Sequence, residues 1–245
     1  MSEFIVIKIG GVAGGQLNRS FFEELKLWQA LGKQVIIVHG GGEQISDMMK
    51  KFDVPVVKKH GLRVTDENVL YYTKLALIGE VQQNILTKFT KNGFSAIGLN
   101  GMDGGLLQGD FIDYHALGHV GKVNEVNAKL LQAMTSANII PIIAPLAMTE
   151  NQQWLNVNAD TAACKIAEVL QAESLYLLTD VPGVKKQHTW LETITLNDAQ
   201  ELLTEEEVTG GMIPKLKSAI TAVTSGVKEV CITNEILEKH TVITL

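Results

Sequence analysis

The sequence predicts an α/β protein, a three-layer αβα sandwich around a mainly parallel central sheet. Two observations carry that prediction. Short β-rich runs alternate with stretches of helical periodicity along the whole chain, the pattern of strands wrapped by helices on both faces. Most of those runs are apolar at every position rather than at every second one, as parallel strands buried on both faces must be.

In order, the predicted strands are "FIVIKI" (4–9), "QVIIVH" (34–39), "SAIGLN" (95–100), "NIIPIIA" (138–144), "SLYLLT" (174–179) and "VKEVCIT" (227–233). The first helix opens with Ser20 and Glu23 in a capping-box spacing, and Phe21, Leu25 and Trp28 follow on one face. Ile45, Met48, Met49 and Phe52 mark a second amphipathic helix. Ala163, Ile166, Ala167 and Leu170 mark another, and Leu216, Ala219, Ile220 and Val223 a further one. "VVKKHGLRVTD" (56–66) reads as a β-hairpin turning at His60-Gly61. Residues 106–127 have strand-like pieces without a clear helix, an antiparallel addition or a lid. A seam near 170–175 divides the expected lobes into 1–172 and 173–245, spanned by one sheet.

Composition excludes several classes. The chain has 245 residues, 46% hydrophobic, enough for one large domain or two lobes with a buried core. Its net charge of −6 and lack of a basic stripe argue against nucleic acid. No apolar run suits a membrane helix and the N-terminus is no signal peptide, so a cytoplasmic protein is expected. Cys164 and Cys231 lie in separate apolar elements and read as buried hydrophobes. Only two of 21 basic residues are arginines, Arg19 and Arg63, so each calls for a reason. Arg19 sits at a helix start.

Ligands of open α/β sheets bind beyond the carboxyl ends of the strands. "KIGGVAGG" follows the first strand and "HGGGEQIS" the second. Glycines there admit a ligand to the backbone, and free N–H groups at a helix start attract anions. Either loop alone reads as an ordinary tight turn; the two on successive strands point to a polyanion or carboxylate site. Asn156, Asn158 and Asp160, at spacing two in "WLNVNADTAACKIA", would share one side of a strand end. Taken singly, the asparagines read as turn residues and Asp160 as a helix N-cap. Arg63 alone reads as an exposed hairpin charge, and Lys215 as a surface lysine. There is no Walker loop, dinucleotide fingerprint, nucleophile elbow, CxxC or HExxH.

Four pieces in this order, "IKIGG" (7–11), "VHGGG" (38–42), "NVNADTAA" (156–163) and "GGMIPKL" (210–216), resemble the amino acid kinase family over essentially the whole chain. "GLRVTD" (61–66), "GLNGMDGG" (98–105) and "LGHVG" (117–121) strengthen the match. The resemblance implies an amino acid kinase-like fold and transfer of the γ-phosphoryl group of ATP, with Mg²⁺, to the side-chain carboxylate of N-acetyl-L-glutamate. It implies that Lys8 and Lys215 supply charge to the transferring group and that Asp160 holds both lysines. Gly41, Gly42, Arg63, Asn156 and Asn158 would bind the acylamino acid, Arg63 through its α-carboxylate. Gly10, Gly11, Asp180, Val181, Gly183, Val184, Lys185, Val208, Thr209, Gly210 and Gly211 would bind the nucleotide. No protein metal ligands are implied, because Mg²⁺ would be held by phosphates and water. Pro182 and the Lys185-Lys186 pair depart from the family pattern near the ribose.

Two alternatives stay open at this stage: a sister kinase acting on carrier-bound aminoadipate or glutamate, and a non-catalytic sensor of nucleotide or amino acid. Arginine-inhibited, hexameric members of the family carry an extra helix before the first strand, where this sequence has three residues. The expectation is therefore an arginine-insensitive homodimer, joined through Val69, Tyr72, Leu75, Ala76 and Ile78.

Overall fold

A computed structural model describes residues 3–10, 17–187, 189–205, 208–237 and 241–245. The strands are β1 (Phe4–Ile9), β2 (Gln34–His39), β3 (Lys58–Lys59), β4 (Leu62–Arg63), β5 (Ala96–Leu99), β6 (Leu107–Phe111), β7 (Val120–Val126) and β8 (Ile140–Ile143), then β9 (Leu146–Met148), β10 (Trp154–Val157), β11 (Ser174–Leu178), β12 (Lys185–Lys186), β13 (Thr189–Trp190), β14 (Thr193–Thr195), β15 (Glu229–Thr233) and β16 (Thr241–Thr244). The helices among the described residues are α1 (Arg19–Ala30), α2 (Gly42–Lys51), α3 (Glu67–Lys74), α4 (Gln82–Lys91), α5 (Tyr114–Leu117), α6 (Ala128–Ser136), α7 (Ala159–Leu170), α8 (Leu196–Thr204) and α9 (Met212–Thr224). A π-helical turn over Leu75–Val81 joins α3 to α4.

Eight strands form the main sheet in the order β14-β16-β15-β11-β1-β2-β8-β5. All neighbours are parallel except β15 and β16. Strand β1 sits near the centre and is buried at all six positions, as its unbroken apolar run requires. Its side chains alternate between two cores. Ile5, Ile7 and Ile9 join Phe21, Phe22, Leu25 and Trp28 of α1 and Ile85 and Phe89 of α4. Phe4 and Val6 face the opposite core, with Leu131 of α6, Ala163, Ile166 and Ala167 of α7 and Leu216 and Ala219 of α9. Strand period therefore places Lys8 on the α7 side, and this sets up the site.

The strands β6, β7, β9 and β10 close into a small barrel, which accounts for the irregular reading of residues 106–127. The β3–β4 hairpin turns at His60 (φ 50°) and Gly61 (φ 79°), both in the left-handed region that a tight two-residue hairpin loop demands. No helix among the described residues is long and apolar enough to cross a membrane.

Three local expectations need correction. Helix α1 is capped by Asn18, whose side chain accepts from the Phe21 N–H at 2.9 Å; the Ser20 hydroxyl merely donates to the same oxygen. The earlier cap wins because Asn18 lies in extended backbone and can reach the third helical N–H. Arg19 starts that helix and pairs with Glu23 in solvent. Phe52 lies past the end of α2, 56% exposed and stacked on Tyr72 rather than in the core. Of the residues expected at a dimer face, Val69 and Ala76 are buried with Ile45, Met49 and Leu146 inside the subunit. Tyr72 and Ile78 are half-buried and Leu75 is exposed, because the 67–91 helix turns its inner face to α2 and β9.

Candidate active site

The carboxyl ends of β1 and β2, the hairpin and the start of α7 enclose a pocket of about 260 Å³. Lys8, Gly41, Gly42, Arg63, Asn156, Asn158 and Asp160 all line it, so residues scattered over more than 150 positions of sequence converge there. Lys58, Leu62, Leu77, Val120 and Pro145 are among the other residues of its wall.

Asp160 is the second residue of α7, and Asn158 is the N-cap, its side-chain oxygen accepting from the Asp160 and Thr161 N–H groups at 2.9 and 3.1 Å. The aspartate is thereby released from capping, which corrects its reading as the cap. Its carboxylate is held by two ammonium groups: Lys8 Nζ is 2.9 Å from Oδ1, and Lys215 Nζ donates to Oδ2 at 3.0 Å. The Lys8 contact is a close ion pair without the alignment of a directed hydrogen bond. Lys215 arrives from the first turn of α9. One turn further along both helices, Cys164 Sγ donates to the Ser218 carbonyl at 3.2 Å. That thiol is pushed up to about 12, first by burial and then by Asp160, so it is an inert packing group rather than a nucleophile.

Burial and the two ammonium groups act in opposite senses on the triad. Burial raises the Asp160 carboxyl, but Lys8 and Lys215 outweigh it and hold the group below the usual carboxylate range. Burial lowers Lys8, Asp160 pulls it back up, and Lys215 lowers it further; the net direction is down. Two cations facing one anion leave an excess positive charge at the mouth of a helix N-terminus, suited to a polyanion.

The glycine loop after β2 supplies the opposite wall. A Cβ on Gly41 would meet Leu77 Cδ2 at 2.7 Å, because the π-helical turn packs directly on the loop; one on Gly42 would meet nothing. Helix α2 has no side-chain cap hydrogen bond at Gly41. Arg63 reaches over this turn, donating from Nη2 to the Gly42 carbonyl and Ser46 Oγ, each at 2.8 Å, and from Nη1 towards Met49 Sδ at 3.2 Å. Desolvation lowers its pKa. Among the described residues it has no carboxylate partner. Asn156 donates from Nδ2 to Thr65 Oγ1 at 3.0 Å.

The described residues expected at the nucleotide do not line this pocket. Asp180, Val181 and Gly183 form the loop after β11, where Thr179 Oγ1 donates to Asp180 at 3.0 Å. Val184 is fully buried, its N–H bonded to Thr241 Oγ1 at 2.8 Å, so only its neighbours can meet a ligand. Lys185 lies on β12 with its ammonium 5.2 Å from the centre of the Trp190 ring. Val208 is buried, and Thr209, Gly210 (φ 58°) and Gly211 lead into α9 beside Lys215. Gly10 follows β1; Gly11 lies outside the described residues.

Sequence reasoning missed Thr65, Ser46, Leu77 and His39. His39 ends β2, fully buried, and burial drives its pKa down to about 4, so it is neutral at pH 7. Its Nδ1 lies 2.9 Å from the Gly40 carbonyl, which assigns the proton to Nδ1 and stiffens the loop below Gly41.

The amino acid kinase family profile matches residues 3–234. The chain belongs to the amino acid kinase family. Within it, the acetylglutamate kinase of Listeria monocytogenes serotype 4b (strain F2365) is 49% identical over 236 residues, 96% of this chain and 94% of its own length. That of Leuconostoc citreum (strain KM20) is 44% identical over 245 residues, the whole of both chains. Among solved structures, the smu.665 protein of Streptococcus mutans UA159 shares 38% identity with a TM-score of 0.94, covering 100% of this chain and 99% of that one. N-acetylglutamate synthase from Neisseria gonorrhoeae, at 23% identity and a TM-score of 0.86, covers 99% of this chain with 59% of its own and shares the fold.

Proposed function

We propose that the chain transfers the γ-phosphoryl group of ATP to the side-chain carboxylate of N-acetyl-L-glutamate, giving N-acetyl-L-glutamyl 5-phosphate and ADP, a step of arginine biosynthesis. The observation that carries this reading is the Lys8–Asp160–Lys215 cluster, in which Lys8 and Asp160 line the same pocket as Arg63 and Asn156 and Lys215 is held against it through Asp160. The names of relatives 44–49% identical over nearly the full chain support the substrate.

A substrate carboxylate is already ionised at neutral pH, so no general base is needed. One of its oxygens bonds to the γ-phosphorus while the bond to the β,γ-bridging oxygen breaks, and ADP leaves with that electron pair. The chemistry left for the protein is alignment and charge. Lys8 and Lys215 would supply positive charge to the transferring group and the leaving ADP. Asp160, with both oxygens engaged, acts as their holder. Among the described residues it is the sole carboxylate lining the pocket, and its oxygens face the two lysines, so a divalent cation would be held by the ATP phosphates and water. That donor set fits Mg²⁺ entering with the nucleotide. Arg63 offers a fork to the α-carboxylate, Asn156 an amide to the acetamido group, and Gly41 and Gly42 backbone N–H groups. Asn158 meets substrate with what its capping role leaves. Residues 1–172 would bind the acylamino acid. Residues 173–245 would bind ATP, with 180–185 and 208–211 nearest the nucleoside and Gly10 beneath the phosphates.

The test is ATP consumption with N-acetylglutamate against free glutamate. Removing the acetyl group leaves buried polar partners unpaired and puts an ammonium in their place, so turnover on glutamate should fall by on the order of 10³-fold or more. Equal rates on both would reject the assignment.

The enzyme would work in the cytoplasm as a homodimer. Tyr71 and Leu75, 54% and 41% exposed on the 67–91 helix, offer apolar surface for a two-fold contact through the N-terminal half. Light scattering should give a mass near twice 26.7 kDa. A monomer or a hexamer would refute the dimer.

A further inference from the structure

We infer that Thr65 is a positioning residue for the acylamino acid, fixing the Asn156 amide so that its carbonyl oxygen, not its NH₂ group, is offered to the α-substituent. The inference rests on the reading of Asn156 and Arg63 as substrate ligands and adds what sets their orientation.

Thr65 is fully buried and does not border the pocket. Whatever it contributes must pass through its partners. Its Oγ1 lies 2.8 Å from the Arg63 carbonyl and 3.0 Å from Asn156 Nδ2. A hydroxyl has one hydrogen, and a carbonyl can only accept, so that hydrogen goes to Arg63. Towards Asn156 the hydroxyl can then only accept, which demands the NH₂ end of the amide. With the amide reversed, two oxygens would face each other unless the Arg63 carbonyl gave up its donor. That carbonyl has no replacement in the hairpin. Val64 N–H donates to the Val57 carbonyl at 2.9 Å, so the next pair, Lys58 and Arg63, is the non-hydrogen-bonded one and the Arg63 carbonyl points away from β3.

The hydroxyl itself is held by a backbone frame. Thr65 N–H donates to the Leu117 carbonyl at 2.8 Å, His119 N–H to the Thr65 carbonyl at 2.7 Å, and Asn156 N–H to the His119 carbonyl at 2.8 Å. Gly118 is essential to this frame: its φ is 67°, and a Cβ there would lie 2.2 Å from the Thr65 carbonyl. One threonine thus couples the residue that faces the α-carboxylate to the residue that faces the α-acylamido group. The Asn156 oxygen so presented pairs with an N–H on the substrate, and an oxygen in that place would be repelled.

The discriminating probe is the acetoxy analogue of N-acetylglutamate, in which oxygen replaces the amide N–H. The wild-type protein should prefer the acetamido compound by on the order of 10²-fold in kcat/KM, since the analogue sets two acceptors against each other. Thr65→Val should raise the N-acetylglutamate KM about tenfold, leave the ATP KM nearly unchanged, and narrow that preference about tenfold, because the freed amide can turn. Thr65→Ser should restore both. A wild-type protein that accepts the acetoxy compound equally well would overturn the inference, whether or not the valine variant folds. Asn156→Ala separates the two levels of the argument. If it leaves the N-acetylglutamate KM unchanged, the reading of Asn156 as a ligand fails. If it raises KM while Thr65→Val changes neither KM nor the preference, the positioning role of Thr65 fails.

Discussion

Replacing Lys8 or Lys215 by alanine is expected to lower kcat by on the order of 10²-fold or more, with the KM for N-acetylglutamate changed far less. Both ammonium groups are fixed on Asp160 before any ligand arrives, at 2.9 and 3.0 Å, so neither has to reorganise as charge develops on the phosphoryl group. An interaction felt mainly in the transition state leaves ground-state binding intact when removed, and that is the signature sought. Stability provides the control. Without Lys8, Asp160 keeps Lys215 as partner and one buried cation disappears, so Lys8→Met, which keeps the volume of the stem, should melt close to the wild-type temperature while losing activity. Steady-state kinetics and thermal denaturation on the same samples decide it. A Lys8→Ala or Lys215→Ala protein with near wild-type kcat would remove that lysine from the mechanism.

The fold was legible in the sequence because it is written in burial. A run such as "FIVIKI" has one compatible environment, a strand covered on both faces, and β1 occupies it from Phe4 to Ile9. Lys8 inside that run was the informative exception, since strand period sends it to the face where α7 begins. The members of the site could be named one by one, but their division of labour could not. Asn158 and Asp160 both suit a helix start, and only the backbone path shows that Asn158 takes the cap and leaves Asp160 to the lysines. Thr65 was invisible for another reason: its role depends on partners at 63 and 156, and no pattern in one segment encodes a contact across 91 positions. The outer face of the 67–91 helix was misread because its apolar residues serve two surfaces at once. Val69 and Ala76 pack inward, whereas Tyr71 and Leu75 remain outside.

Asp160→Asn should damage both activity and stability, and the pH dependence of the loss identifies the cause. The carboxylate side chain is 8% exposed and faces an ammonium on each oxygen. An amide of the same shape leaves two cations together in a poorly solvated site, and removing one partner of a buried charge cluster costs about 3–5 kcal/mol. For a chain of this size that corresponds to a fall in Tm of roughly 6–20 °C. In the wild type the carboxyl titrates below its unfolded value, so its stabilisation is complete above the ordinary aspartate range and is lost as pH falls through the lowered folded value. The variant lacks that acid-side loss and gains a defect that alkali relieves. Lys8, already lowered by burial, loses its counter-charge and falls further, so the unfolded chain binds more protons than the folded one up to the free lysine value. Stability of the variant must therefore rise with pH over that window, and the gap to wild type should narrow between pH 7 and pH 9.5 in thermal denaturation. Activity should not recover in parallel, because the proton whose loss relieves the repulsion is the one that gives Lys8 its charge. An Asp160→Asn protein as stable as wild type at pH 7, or one whose deficit does not shrink with pH, would show that the two lysines do not depend on this carboxylate.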